Sequence, residues 1–159
     1  MKRYVLRLAA GNPADTVRMY TVEPGKKLSG TWNIGSQYDL TVYGPNGFVR
    51  YFKGSISTDA AALSVRTRYG EGDHGTVELR ITNIGTSKAS VMVLDAYTGD
   101  RDSRLLWPGE TLEDDNRLDR FHGWYDLIVK VSEDPTFEYR LAGHVETGDD
   151  SRIRRSAAW

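Results

Sequence analysis

The chain has 159 residues, a net charge of −1 at pH 7, no Cys, 39% hydrophobic and 27% charged residues. This is the composition of a soluble globular protein of one ordinary domain or two very small ones. A near-neutral balance lacks the basic stripe that neutralises phosphates, so nucleic acid is not an expected partner, and zero Cys removes disulfides, thiolate zinc ligands and a thiol nucleophile.

The start Met1-Lys2-Arg3-Tyr4-Val5-Leu6 is too short and polar for a signal peptide, and no run of about 18 apolar residues exists to span a bilayer. Residues 3–9 read as a short strand able to fill a sheet edge. Tyr38, Leu40 and Val42 alternate with Asp39, Thr41 and Tyr43, giving one face for a core and one for water. Gly44-Pro45-Asn46-Gly47 follows, with Asn and Gly where a hairpin needs positive φ, so it should reverse Gln37–Tyr43 into Phe48–Phe52. Further on, Leu63, Val65, Thr67 and Tyr69 alternate, then Val77, Leu79 and Ile81. Asn83–Lys88 separates Thr76–Thr82 from Ala89–Ala96. Tyr125, Leu127, Val129 and Val131 lead through a loop at Ser132–Thr136 into Phe137–Ala142, continued by Gly143 and Val145. No stretch keeps a 3.6-residue apolar stripe, so the expected class is all-β.

One half of the chain repeats the other. Pro24-Gly25-Lys26-Lys27-Leu28 matches Pro108-Gly109-Glu110-Thr111-Leu112, and Tyr38-Asp39-Leu40 matches Tyr125-Asp126-Leu127. Each copy then runs from a Phe to a Gly six residues on, Phe48 to Gly54 and Phe137 to Gly143. The expected architecture is two related small Ig-like antiparallel β-sandwich modules in tandem: residues 1–57 a shortened first copy, 58–148 a complete second, 149–159 a tail. Comparing Pro13–Pro24 with Gly85–Pro108 places the loss of at least one strand in the first copy between those turns. A missing strand would leave an unpaired edge for a second copy of the chain, unless residues 3–9 fill it.

Tyr20–Lys26, Tyr38–Phe48, Trp124–Leu127 and Ala142–Gly148 together resemble the C-terminal repeat domain of bacterial phosphocholine-preferring phospholipases C. The resemblance implies a non-catalytic accessory β module whose partners are the separate catalytic domain and a phospholipid surface. It also implies a parent enzyme that is exported, to the periplasm or beyond. The shortened first copy and the tail Ser151–Trp159 depart from the family pattern.

The residues themselves offer no catalytic set. His74, His122 and His144 have no zincin spacing and there is no G-x-S-x-G elbow, so catalytic, metal and cofactor-binding residues are read as none. Glu113-Asp114-Asp115-Asn116-Arg117-Leu118-Asp119, with Asp100 and Asp102, could offer oxygens to Ca²⁺, but Arg117 and Arg120 offset the charge and the run reads as a solvated loop. A Ca²⁺-dependent stand-alone adhesion or carbohydrate-binding sandwich is the alternative function. Asp39 and Asp126 read as cross-strand partners rather than acids. Arg50, Lys53, Arg140 and the tail arginines could favour an anionic surface, although the tail reads better as a mobile end. Contact with a membrane or partner falls to Trp107, Phe121, Trp124 and Trp32, with matching repeat positions favouring packing for Trp32 and Trp124.

Overall fold

A computed structural model describes residues 16–23, 25–27, 29–32, 35–57, 59–70, 75–118 and 121–145, and the backbone of 4–10. Eleven strands form: β1 (Tyr4–Ala10), β2 (Arg18–Val22), β3 (Gln37–Tyr43), β4 (Val49–Ser55), β5 (Leu63–Gly70), β6 (Thr76–Asn83), β7 (Ala89–Asp95), β8 (Arg101–Leu106), β9 (Thr111–Arg117), β10 (Trp124–Val131) and β11 (Asp134–His144). They make two antiparallel sheets, one of eight strands in the order β2-β1-β3-β4-β11-β10-β7-β8 and one of three, β5-β6-β9. The chain is all-β, as its period-2 patterning requires.

The core lies between β5-β6-β9 and the second-repeat half of the large sheet. Val77, Leu79 and Ile81 of β6 meet Val91 and Val93 of β7, Tyr125, Leu127, Val129 and Val131 of β10, and Phe137 and Leu141 of β11 in one buried cluster. These are the alternating residues seen in the sequence. Local turn chemistry also holds: Asn46 and Gly47 take φ of 54° and 68°, the Phe48 amide donates to the Pro45 carbonyl at 3.1 Å and the Gly44 amide to the Phe48 carbonyl at 2.8 Å, so the hairpin closes over the three residues Pro45–Gly47.

Three expectations change. The Ser132–Thr136 loop is shorter, because β11 already begins at Asp134, whose carboxylate takes the Thr136 hydroxyl at 2.6 Å and the Ala61 amide at 2.9 Å. Burial works against that carboxylate's charge, but these hydrogen bonds outweigh it and hold its pKa below the ordinary value. Residues 113–117 of the acidic run are not a loop: they belong to β9, paired to β6 with Arg80 bound to Glu113 at 2.9 Å, while Asp102 lies in β8 of the other sheet and Asp100 just ahead of it. Finally, the strands do not divide into two closed sandwiches, because β4 of the first repeat pairs directly with β11 of the second.

That pairing reveals a local two-fold relation. With Phe48–Gly54 laid on Phe137–Gly143, Tyr51 is the equivalent of Arg140, and these two residues face each other across β4 and β11. From this pair outward the strand order is a palindrome, β4-β3-β1-β2 on one side and β11-β10-β7-β8 on the other. β1 and β2 therefore correspond to β7 and β8. The first repeat keeps those strands and lacks, among the described residues, a counterpart of the β5-β6-β9 layer. Its shortening is not between Pro13 and Pro24. Residues 4–10 fill the place beside β3, and β2 and β8 are the sheet's margins, β8 carrying exposed Arg101, Asp102 and Arg104.

Side chains staple the two repeats along this axis. Tyr38 lies across Gly54 and Tyr125 across Gly143, each ring occupying space that a Cβ would need. The Tyr38 hydroxyl reaches the Tyr139 hydroxyl at 3.1 Å, and its counterpart Tyr125 accepts from Arg50, the equivalent of Tyr139, at 2.8 Å. Arg50 also donates to the Ala142 and Val49 carbonyls, to Thr67 Oγ1 and to the Tyr69 hydroxyl, and lies 4.3 Å from the centre of the Phe48 ring. On the other face Arg140 grips Asp126 with two bonds of 2.7 and 2.6 Å, and Tyr51 donates to Asp39 at 3.4 Å. Asp39 and Asp126 are thus cross-strand partners, Arg50 is turned into the core, and Arg140 on the opposite face is engaged by Asp126 rather than offered to an anionic surface.

Two outcomes follow from this seam. Replacing Arg50 by Met removes its hydrogen bonds to the Tyr125 and Tyr69 hydroxyls and to the Ala142 carbonyl; thermal melts should show a loss of about 2–3 kcal/mol, roughly 5–10 °C. Arg80→Met, at an exposed pair, should cost about 0.5 kcal/mol or less. Burial first, and then the Asp39 charge, push the Tyr51 phenol up to about 12, and burial likewise raises Tyr38 and Tyr125, the latter against the pull of Arg50. An unfolded phenol titrates near 10, so the folded seam holds its protons more tightly: its stability is complete below about pH 10 and is lost as pH rises through 10 to 12 and beyond. Melts from pH 8 to 11.5, with phenolate absorbance at 295 nm, should show falling stability and three late-titrating tyrosines.

Candidate functional site

The four aromatic candidates fall into different places. Trp124 packs against His144, ring centres 4.8 Å apart, and lies over Gly47, where a Cβ would collide with the indole. It joins the second repeat to the first repeat's hairpin. Phe121 stacks on Tyr97 at 5.2 Å, and Trp32 packs edge-on to Tyr20 at 6.2 Å with the Arg18 guanidinium 4.8 Å from its ring centre. All three are half-buried. Trp107 is 57% exposed.

Trp107 stands on a tight turn between β8 and β9. Its amide donates to Glu110 Oε2 at 2.9 Å, the Glu110 amide returns to the Trp107 carbonyl at 2.9 Å, and Gly109 takes φ 84°. Asn83 at the end of β6, 1% exposed, ties this turn to the β6–β7 turn. Its side-chain amide donates to the carbonyls of Leu106 and Ser87, its side-chain oxygen accepts from the Gly85 amide, and its own carbonyl accepts from the Gly109 amide at 2.8 Å. A buried amide with its donors and acceptor used in this way fixes both turns. Ile84, 65% exposed, lies on the β6–β7 turn that Asn83 ties to the turn of Trp107, and Leu105, 46% exposed, lies near the end of β8. The two turns thus form one hydrogen-bonded end of the sandwich that exposes Trp107 and Ile84 alongside Thr86, Lys88 and Glu110.

A groove of about 520 Å³ opens next to it, lined by Ala61, Asn83, Ser87, Lys88, Glu133 and Asp134. Glu133 accepts from the Ser90 hydroxyl at 2.6 Å and the Ser90 amide at 2.8 Å, and these bonds hold its carboxyl below the usual range. The sequence pointed to Trp107 but missed Ile84 and Leu105, since one Ile in a turn and one outward residue on an edge strand carry no pattern of their own.

Among the described residues no group of three or more His, Asp or Glu side chains could hold a metal ion. His122 and His144 do meet, but through the His122 carbonyl, 2.9 Å from His144 Nε2. His74, the tail residues 146–159 and Pro24 lie outside the described residues. No helix among the described residues is long and apolar enough to cross a membrane.

The sequence profile of the family described as bacterial phospholipase C, C-terminal domain, matches residues 2–55 and again 58–144. The chain belongs to this family. It is 41% identical over 155 residues to the non-hemolytic phospholipase C of Burkholderia pseudomallei, covering 91% of the chain and 22% of that relative. It is 36% identical over 157 residues to the hemolytic phospholipase C of Pseudomonas aeruginosa, covering 89% of the chain and 22% of the relative, and 30% identical to a non-hemolytic phospholipase C of the same organism. The chain thus spans about a fifth of the length of these relatives, and what it matches is the C-terminal domain, not the catalytic domain of such enzymes.

Solvent exposure sets the expected behaviour of the two best-placed indoles of this C-terminal domain. Trp107→Ala should leave the melting temperature within about 2 °C, as an exposed substitution does. Trp124→Ala should cost roughly 2–3 kcal/mol in denaturant unfolding, because it empties the contact with Gly47 and His144.

Proposed function

We infer that this domain is the accessory C-terminal unit of a bacterial phospholipase C acting on choline phospholipids, with bond cleavage assigned to a separate catalytic domain. Its work is contact: it supports the catalytic domain and holds it against the lipid surface, and it is exported with that domain. The observation that carries the lipid contact is the rigid end bearing Trp107, Ile84 and Leu105. Indole rings favour the headgroup level of a bilayer, and aliphatic side chains beside them gain by leaving water. Asn83 holds both turns before contact, so little ordering entropy opposes binding.

The test is co-sedimentation of the chain with phosphatidylcholine vesicles, alongside an assay for phosphocholine release. An indole burying roughly 100 Å² contributes about 2.5 kcal/mol, so Trp107→Ala should weaken binding tenfold or more, and Ile84→Asp similarly. Trp32→Ala should leave binding unchanged, and the isolated chain should release no phosphocholine. Vesicle binding that is absent, or indifferent to Trp107 and Ile84, would refute the lipid contact at this end.

A further inference from the structure

The two copies of the repeat are covered unequally. Tyr125, Leu127, Val129 and Leu141 are 3%, 2%, 0% and 2% exposed beneath the β5-β6-β9 layer. Their equivalents Tyr38, Leu40, Val42 and Phe52, on the same face of the same sheet, are only half-buried. Among the described residues no second β-layer stands over them, and Trp32 packs at the β2 margin. An apolar row of the same residue types in the same register thus has a full cover in one copy and a partial one in the other.

We propose that this open half of the sheet is the docking face for the remainder of the phospholipase C polypeptide, and that what docks there is an antiparallel pair of β-strands presenting an alternating aliphatic row. The inference rests on the chain's being the C-terminal domain of such an enzyme, and is independent of the lipid contact at Trp107. The two-fold relation supplies the geometry, since it lays β1–β4 strand for strand on β7, β8, β10 and β11. On that second copy, the neighbouring layer is antiparallel strands whose inward residues are Val77, Leu79 and Ile81. Two sheets meeting face to face bury such rows about 10 Å apart.

Chain continuity selects the occupant. In the second repeat β6 passes into β7 through the short turn 84–88, so the equivalent strand pair would lead into β1. In the relatives, nearly four-fifths of the polypeptide lies outside a match that is their C-terminal domain, so that length precedes it. The seam adds a chemical requirement. Tyr125 meets the Tyr69 hydroxyl of β5 at 2.7 Å, so the docked layer should bring a hydroxyl or other polar atom to Tyr38.

The experiment joins roughly 40 residues, enough for two strands and their turns, ahead of residue 4, taken from the sequence preceding the match in the Burkholderia pseudomallei relative. Hydroxyl-radical footprinting of side chains then compares this form with the chain alone, with sedimentation velocity on both. The expected result is a monomer in which labelling of Leu40, Val42 and Phe52 falls at least fivefold, to the level of Leu127 and Leu141. Leu40→Asp should abolish that protection, Val42→Thr, which keeps the side-chain shape, should weaken it, and Trp107→Ala should leave it intact. Unchanged labelling in the extended form would overturn the proposal. So would a dimer of the chain alone that shields the same residues and disperses with Val42→Thr, which would make a second copy the occupant. Protection that appears only when phosphatidylcholine vesicles are added would likewise reject it in favour of a lipid surface.

Discussion

The pairing of β4 with β11 is the constraint from which the rest of the architecture follows, and a buried guanidinium secures it. Arg50 enters a site walled by Phe48, Tyr69 and Tyr125, where an unsolvated charge would be prohibitive. It is satisfied by two carbonyls and three hydroxyls rather than by a carboxylate. Those acceptors come from β4, β5, β10 and β11, so the cation needs both repeats in place at once. On the opposite face Tyr51 and Arg140 meet on the two-fold axis and each turns to the Asp of its own repeat. A joint stapled on both faces makes one sheet of what the sequence presents as two copies.

This arrangement separates two surfaces with different chemistry. The end formed by the turns after β6 and β8 exposes an indole and an isoleucine and is preorganised by Asn83, which suits contact without rearrangement. The face of β1–β4 is a sheet surface with the residue types of an interior, which suits a second layer. They belong to different repeats, so each can be tested without disturbing the other.

The sequence misled wherever a side chain's role depended on a distant partner. Charged residues at Glu113–Arg117 suggest a loop by composition, yet β6 offers them a ladder and Arg80 a counter-charge. Arg50 and Arg140 look like surface cations, yet one is absorbed by tyrosine hydroxyls 19 and 75 residues away and the other by Asp126. Polar composition is a weak guide to exposure when complementary groups converge from elsewhere in the chain.

Period-2 alternation, the Asn-Gly turn and the repeated Tyr-Asp-Leu and Phe-to-Gly spacings were enough to determine an all-β chain, its inward residues and its internal duplication, because these depend on neighbours two to four residues away or on a register that a hairpin sets. The packing of Tyr38 over Gly54 and of Tyr125 over Gly143 came only with the strand pairing. Tertiary structure alone decided that the two copies share one sheet, that among the described residues only one of them carries a covering layer, and that Trp107 rather than Trp32 or Trp124 projects into solvent. Each of these turns on which elements meet in space, and burial is a property of that meeting, not of the residue.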